Sequence, residues 1–336
     1  MANALFIFTV MVLVFVICMR LLKMPTTLAM AVAAIAGAIA GGFGIPLRRL
    51  AEVSTAYISF LLIVVAAAIF MDVLKESGGL NILVRDITKT FYKVPFLLLF
   101  MLAIVIMFPG AITGSGTVAV LATGAIVGPV LLGMGIPVVD VAAFTALCGV
   151  LSLIAPPVNV YAMVMAAGIN LPYSGFDKPL AIFTLVPTIF IVLFYGVRWI
   201  KGPLDPEKIL EGTPPVPKGA KRAAVYGPLI AVILLMVAVR VFPHSMPNLG
   251  MPLIFVLGIG VAYLCGVRVN LWKSFTNSFD ALVSIIGIMI AVGILVNIMS
   301  LTGVKGLFVT TVLMLPALLL YVGLFAILPF AGTFLA

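Results

Sequence analysis

The sequence predicts an all-α polytopic membrane protein built as an inverted repeat, and three observations carry that expectation. Of its 336 residues, 64% are hydrophobic and 9% charged, with a mean hydropathy of +1.37. Soluble domains carry about 25% charged residues, so a water-solvated surface cannot be built from this composition. Second, apolar runs of membrane-spanning length alternate with short polar loops that hold most of the basic residues. Third, the order of landmarks in the first 100 or so positions restarts after the middle of the chain. The first repeat contains a re-entrant hairpin and a broken helix, and the second repeat is incomplete.

Composition also excludes other classes. The one histidine, His244, cannot supply a multi-histidine metal centre. Cys18, Cys148 and Cys265 lie far apart inside apolar runs and read as small buried hydrophobes. No Walker loop, HExxH motif or Ser/His/Asp set is present, so an enzyme is not expected. The net charge of +9 does not point to nucleic acid, because the basic residues sit between membrane segments where orientation accounts for them.

Taken in order, Leu5 to Leu22 is the first span; it lacks the basic start and cleavage pattern of a signal peptide. Thr26 to Phe43, rich in Ala and Gly, is the second, and its small residues permit close helix packing. Arg48 and Arg49 mark a loop, and Tyr57 to Leu74 is the third span. Lys75 to Lys93 is too polar to cross; Leu80, Leu83, Val84 and Ile87 share one helical face, so it should lie along the interface. Pro95 to Val130 is read as a hairpin that enters and leaves on one side, with two ordinary spans as the alternative. Ala142 to Gly168 is a crossing helix broken in the middle, and Leu180 to Ile200 closes the first half. The organisation is therefore 1–94, scaffold spans and interfacial arm; 95–200, hairpin, broken helix and closing span; 201–222, a Pro- and Lys-rich cytoplasmic linker; 223–314, second scaffold and arm; and 315–336, the start of a second hairpin.

Matched landmarks define the repeat. VILLMVAVR ending at Arg240 echoes VLVFVICMR ending at Arg20, and Ser300-Leu301-Thr302-Gly303 stands where Lys75-Glu76-Ser77-Gly78 did. Gly266-Val267-Arg268 corresponds to Gly44-Ile45-Pro46, and Leu315-Pro316 to Val94-Pro95. If the hairpin makes no net crossing, the first repeat has an odd number of crossings and the second is inverted. The 19 basic residues then divide fourteen to five, and the richer side should be cytoplasmic. Completing the symmetry would take about 90 residues beyond Ala336, so the chain is expected to be truncated.

The chemistry is expected where helices are interrupted inside apolar segments. The first interruption is Thr113-Gly114-Ser115-Gly116-Thr117 and the second Ala155-Pro156-Pro157-Val158-Asn159. Proline removes a donor and glycine lowers the cost of non-helical backbone, so both free carbonyls. Bare backbone in a membrane is tolerated only when buried in protein or lining a cavity, and two successive breaks suggest a site near the midplane. Sodium, a hard cation, could take side-chain oxygens from Thr113, Ser115, Thr117 and Asn159 and carbonyls from Gly114, Gly116 and Pro156. Half-helix N-termini at Ser115, Pro157 and Asn159 suit a substrate carboxylate. The competing reading for the hydroxyls is a bond back to their own helix.

These residues resemble the large membrane (permease) subunit of tripartite ATP-independent periplasmic (TRAP) transporters, within the ion-transporter superfamily. The resemblance is carried by FPGAITGSGTVAVLATGAIVGPVLLGMGIP, by LIAPPVNVYAMV and by YSGFDKPL. Related dicarboxylate/sodium symporters have Ser-Asn-Thr at the hairpin tip, where Ser115-Gly116-Thr117 stands here. The resemblance implies an elevator-type transporter fold and sodium-coupled uptake of organic acids, such as C4-dicarboxylates or sialic-acid-like carboxylates. It also implies a bacterial or archaeal cytoplasmic membrane, sodium as coupling ion with no other cofactor, and two partners. These are a periplasmic solute-binding protein and a small four-span membrane subunit. A binding-protein-independent sodium/carboxylate symporter and an ion channel are the rival readings.

One acidic residue, Asp72, lies near the end of an apolar span, and its repeat mate is Asn297. An ionisable group within a membrane is a functional candidate, with an interfacial ion pair to Lys75 as the simpler role.

Overall fold

The computed structural model describes residues 2–48, 52, 58–168, 175–216, 221–242, 247, 249–323 and 325. Arg49, Tyr57, His244, Lys218, the YS of YSGFDKPL and most of the expected second hairpin lie outside them. The described residues are helical with no strand. In chain order the helices are α1 (Ala2–Arg20), α2 (Thr26–Ala40), α3 (Ile58–Glu76), α4 (Gly79–Phe91), α5 (Pro95–Thr113), α6 (Gly116–Gly133) and α7 (Val138–Ser152). There follow α8 (Val160–Gly168), α9 (Asp177–Ile191), α10 (Pro206–Leu210), α11 (Ala223–Val241), α12 (Gly250–Leu264), α13 (Leu271–Leu301) and α14 (Val304–Met314). Asn3–Arg20, α5, α6 and Asp177–Trp199 are each long and apolar enough to cross a membrane, and Ile286–Leu301 with Val304–Val312 forms a further, bent candidate. The protein is accordingly an all-α, multi-pass membrane protein.

Two compact units divide the chain: 1–59 with 283–336, and 60–282. In the first, α1 and α2 form a close helical pair. A Cβ on Gly37 would collide with the Met11 side chain at 2.5 Å, so the small residues of α2 admit the large one of α1. Ile7, Met11, Ala34 and Ala38 build this core with Ile298 and Val304.

The second unit is packed around α5, whose Leu98, Leu99, Leu102 and Ile106 are fully buried. Phe70 and Leu74 of α3, Leu131 of α6, Phe144 of α7 and Phe255 of α12 complete that core. Fully burying an aliphatic side chain is worth about 1.5–3 kcal/mol. For most helices of this unit, burial is confined to one face. Ile182, Phe183 and Val186 of α9 are largely exposed, the pattern of a helix that meets lipid.

The polar segment 75–93 contains α4, with Leu80, Ile82 and Val84 buried and Leu83 and Ile87 packed on the core. Its opposite side holds the loop before α11. Arg85 donates to Thr213 Oγ1 (3.2 Å) and the Pro214 carbonyl (3.4 Å), and Asn81 Nδ2 to the Pro215 carbonyl (3.3 Å). Asp86 receives Arg222 at 2.7 Å and the Tyr226 hydroxyl at 3.2 Å. The segment expected to be a linker is thus fastened down, and Ile209 and Leu210 of α10 are buried against the core. Gly133 makes room for α10, since a Cβ there would fall 2.8 Å from Ile209 Cα.

Two differences from the sequence reading have physical reasons. The helix expected from Ala142 starts at Val138, because Pro137 sets the entry and Asp140, in the first turn, pairs with Arg198 at 2.6 Å. That guanidinium also stacks over Phe194 and Trp199. The closing span is not uniform: after α9 it widens to a π-turn at Val192–Gly196 and tightens to a 3₁₀ turn at Val197–Trp199. Gly196 abuts Leu99 there, which places the irregularity against the buried α5.

The matched landmarks share backbone conformation. Gly78 (φ 75°) and Gly303 (φ 76°) are both left-handed residues at the start of a short helix that follows a long one, α4 after α3 and α14 after α13. The bend at the second is 82°. A left-handed turn is nearly free only for glycine, which accounts for the residue type at both places.

Candidate functional site

The two interruptions meet in space. α5 ends because Gly114 adopts φ 71°, a left-handed cap, and its N–H closes on the Gly110 carbonyl at 2.7 Å. The next carbonyl, Ala111 O, has no N–H above it in its own helix. It accepts instead from Val158 N–H at 3.2 Å, in the middle of the second break. Val158 stands two residues before α8 and Ala111 five before α6. One bond therefore ties the end of α5 to the break that precedes α8.

Close backbone approach fixes the rest of the junction. A Cβ on Gly116 would fall 2.6 Å from the Gly149 carbonyl, and one on Gly149 would strike the Val120 side chain at 2.5 Å. Gly110 is equally crowded by Ser152, which is fully buried and donates its hydroxyl to the Gly149 carbonyl at 2.5 Å. Helices α5, α6 and α7 approach this closely because Gly110, Gly116 and Gly149 carry no side chain. Sequence reasoning missed Gly149 and Ser152. Their signal was the run of small residues in TALCGVLS, which is also what ordinary membrane-helix packing produces.

Each expected site residue has a definite role in the backbone. Thr113, 1% exposed, donates its hydroxyl to the Pro109 carbonyl at 2.7 Å. Ser115 Oγ caps α6 by accepting from Val118 N–H at 3.3 Å. Asn159, 2% exposed, caps α8 by accepting from Ala162 N–H at 2.8 Å. Ser115, Gly116, Pro156 and Pro157 are half-buried, Gly114 is buried and Thr117 is exposed. The Pro156–Pro157 peptide is cis. The local bond expected as the competing reading is present at Thr113. It does not exhaust the oxygen, because a hydroxyl that donates keeps its lone pairs.

Thr113 and Asn159 are the most deeply buried of the expected side chains, while Ser115, Gly116 and the two prolines are half-buried and Thr117 is exposed. Together they offer carbonyls, hydroxyl oxygens, one amide and two helix N-termini, with no carboxylate among the expected residues. Such a set can hold a monovalent hard cation through neutral oxygens, and the N-terminal partial charge of about +0.5 per helix favours an anion beside it.

Asp72 lies on α3, where it lines one cavity together with Thr113 of the hairpin tip. Its Oδ2 is buried without a hydrogen-bond partner, as is Oδ1 of its repeat mate Asn297. Lys75 is exposed and acts on Asp72 only through space, so the expected direct ion pair is not formed. Among the described residues, no group of His, Cys, Asp and Glu could hold a metal by itself. No protein-family model, curated protein or solved structure matches the chain.

Proposed function

We propose that this protein is a subunit of a secondary active transporter that takes up organic acids with sodium, similar to the large membrane subunit of TRAP transporters. The observation that carries the reading is the Val158–Ala111 bond. It ties the last turn of α5, just before the first break, to the middle of the second break, where a transporter needs unwound backbone. Sodium would take the oxygens of Thr113, Ser115, Thr117 and Asn159 with carbonyls of Gly114, Gly116 and Pro156. The substrate carboxylate would lie against the half-helix N-termini at Ser115, Pro157 and Asn159.

The legs of the hairpin, α5 and α6, are 19 and 18 residues long. That is about 27–28 Å at 1.5 Å per residue. The tip nevertheless lies beside the middle of the α7–α8 segment, with α8 continuing for 9 residues past the break. This favours a hairpin that turns back inside the membrane. The recurrence of a left-handed glycine between a long and a short helix, at Gly78 and Gly303, favours the internal repeat. An inverted repeat moving as an elevator, in a bacterial or archaeal cytoplasmic membrane, follows from the same reading. So do a periplasmic binding protein and a small membrane subunit as partners.

The test is uptake. The full-length protein that contains this chain is reconstituted in vesicles with the binding protein and small membrane protein encoded beside it, a sodium gradient is imposed, and labelled C4-dicarboxylate and sialic acid are followed. Accumulation above the outside concentration that collapses when choline replaces sodium is expected. Downhill flux alone would identify a channel. Accumulation without the binding protein would identify the independent symporter.

A further inference from the structure

A cavity of about 260 Å³ lies between α3, the hairpin and the start of α13. Its wall includes Asp72, Lys75 and Glu76 of α3, Thr113 of α5, and Asn277 and Ser278 of α13. Asp72 Oδ2 and Ser278 Oγ, on this wall, are buried and have no hydrogen-bond partner among the described residues, and Ser274 Oγ, one turn before Ser278 on α13, is buried without one as well. Ser274 is 0% and Ser278 5% exposed. The two serines are four residues apart and share one face of α13. Ser274 lies beside the Asp72 carboxylate, within reach for its hydroxyl to turn toward it, while Ser274 Oγ and Asp72 Oδ2 are both left without a partner.

Unpartnered buried oxygens are costly, and a carboxylate oxygen accompanied by two such hydroxyls is what a bound cation resolves. The charges at the rim decide its valence. Glu76 Oε2 lies 4.0 Å from Lys273 Nζ, so the second carboxylate already has a positive neighbour. Among the described residues of its wall, Asp72 and Glu76 are the carboxylates and Lys75 is exposed, so Asp72 is the carboxylate there without a paired cation. One carboxylate and two neutral hydroxyls make a set of hard oxygen ligands matched to a single positive charge.

We propose that Asp72, Ser274 and Ser278 form a binding site for a monovalent cation, sodium in the first instance, distinct from the junction of the two breaks. Thr113 lines the same cavity and belongs to the hairpin tip, so occupancy here bears on the tip through the wall they share. The proposal concerns binding alone and does not depend on the transport reading.

The experiment uses the purified chain in detergent, with thermal unfolding and binding of radioactive sodium measured in sodium chloride, choline chloride and calcium chloride. Sodium is expected to raise the midpoint by linkage, and Asp72→Asn and Ser274→Ala/Ser278→Ala to raise the half-saturating concentration roughly tenfold or more. In choline the double serine variant should unfold at the same temperature as the parent or above it, because it removes hydroxyls that lack partners. A merely structural role for the serines would lower that midpoint. Ser115→Ala and Asn159→Ala, at the junction, should leave this component of sodium binding intact. If only the junction variants lose sodium, the present proposal is overturned and the junction reading stands; if only Asp72 and serine variants lose it, the reverse holds. Stabilisation by calcium at lower concentration than sodium would overturn the monovalent assignment. Unchanged sodium binding in Asp72→Asn and the serine variant would remove the site altogether.

Discussion

Val158 N–H donates to the Ala111 carbonyl at 3.2 Å, a backbone bond that joins two helices at their interruptions. Both partners are buried, Ala111 in the last turn of α5 and Val158 outside any helix. The bond therefore explains how two unwound segments coexist inside an apolar protein. The Val158 amide should exchange with deuterium as slowly as amides of α5, although it lies outside any helix. Val158→Pro, which keeps a similar volume and removes the donor, should lower stability by about 1–3 kcal/mol, the cost of a buried acceptor left unpaired. Fast exchange at Val158 in the parent protein would remove this bond from the account.

Contact between glycines should be as critical as that bond. Gly116→Ala places a methyl group 2.6 Å from the Gly149 carbonyl, which is backbone and cannot swing away. The expected loss is about 1–3 kcal/mol, the usual range for overpacking. Gly124→Ala on the same helix is the control, because its nearest neighbour would be Thr145 Cγ2 at an ordinary 3.6 Å. There the gain in helix propensity should stabilise by about 0.5–1 kcal/mol. Equal thermal midpoints for the two variants would contradict the close approach of α6 and α7.

Capping and ion binding can be separated at Asn159. Asn159→Ser keeps a capping oxygen for α8, so stability should stay within about 0.5 kcal/mol of the parent. Its shorter reach should nonetheless raise the sodium concentration for half-maximal uptake several-fold, since one ligand is lost or lengthened. Asn159→Ala should lose about 1 kcal/mol as well, the value of a cap. A Ser variant with unaltered sodium dependence would reduce Asn159 to a capping residue.

Much of this architecture was legible in the residues, and the failures are instructive. The places where helices stop were readable because Gly114, Pro156 and Pro157 act on their own backbone, without help from tertiary neighbours. The face of α4 was readable because Leu80, Leu83, Val84 and Ile87 repeat with helical period. The start of α7 was not, since an acidic residue at position 140 looks unsuited to a buried helix until Arg198, 58 residues away, is beside it. Ser274 and Ser278 escaped notice for the same reason: two serines on one face mean little until α3 brings Asp72 to them. Long-range partners decide such positions, and a local pattern does not contain them.

The Asp140–Arg198 pair can be measured directly. Asp140 has 12% of its side chain exposed and Arg198 39%, so only one partner is well shielded from water. Arg198→Ala leaves the carboxylate buried, with the N-terminus of α7 offsetting part of its charge. A loss of about 1–3 kcal/mol is expected, and a smaller one for Asp140→Asn, which keeps a neutral acceptor. Arg198→Lys should recover only part of the loss, because an ammonium cannot maintain the same stacking over Phe194 and Trp199. A double-mutant cycle with no coupling energy would assign the contact to packing alone.

Sidedness is the last expectation, and the structure makes it sharper than hydropathy could. Lys89 of α4 and Lys208 of α10 line one cleft together with Arg85 and Glu211. Whatever side that cleft faces, both lysines face it. Lys178 is exposed at the start of α9, and a crossing helix separates it from Arg198, whose partner Asp140 opens α7. Single cysteines at 89 and 208 should therefore react with an impermeant thiol reagent from the same side, and one at 178 from the other. From the charge imbalance of the loops, that side is expected to be the cytoplasmic one. The native Cys18 and Cys148 are buried and should contribute little background, while the half-buried Cys265 is best replaced by Ala or Ser. Labelling of 89 and 208 from opposite sides would break the packing of α10 on α4. Labelling of 178 from the same side as both would remove the crossing by α9, and with it the odd number of crossings on which an inverted second repeat depends.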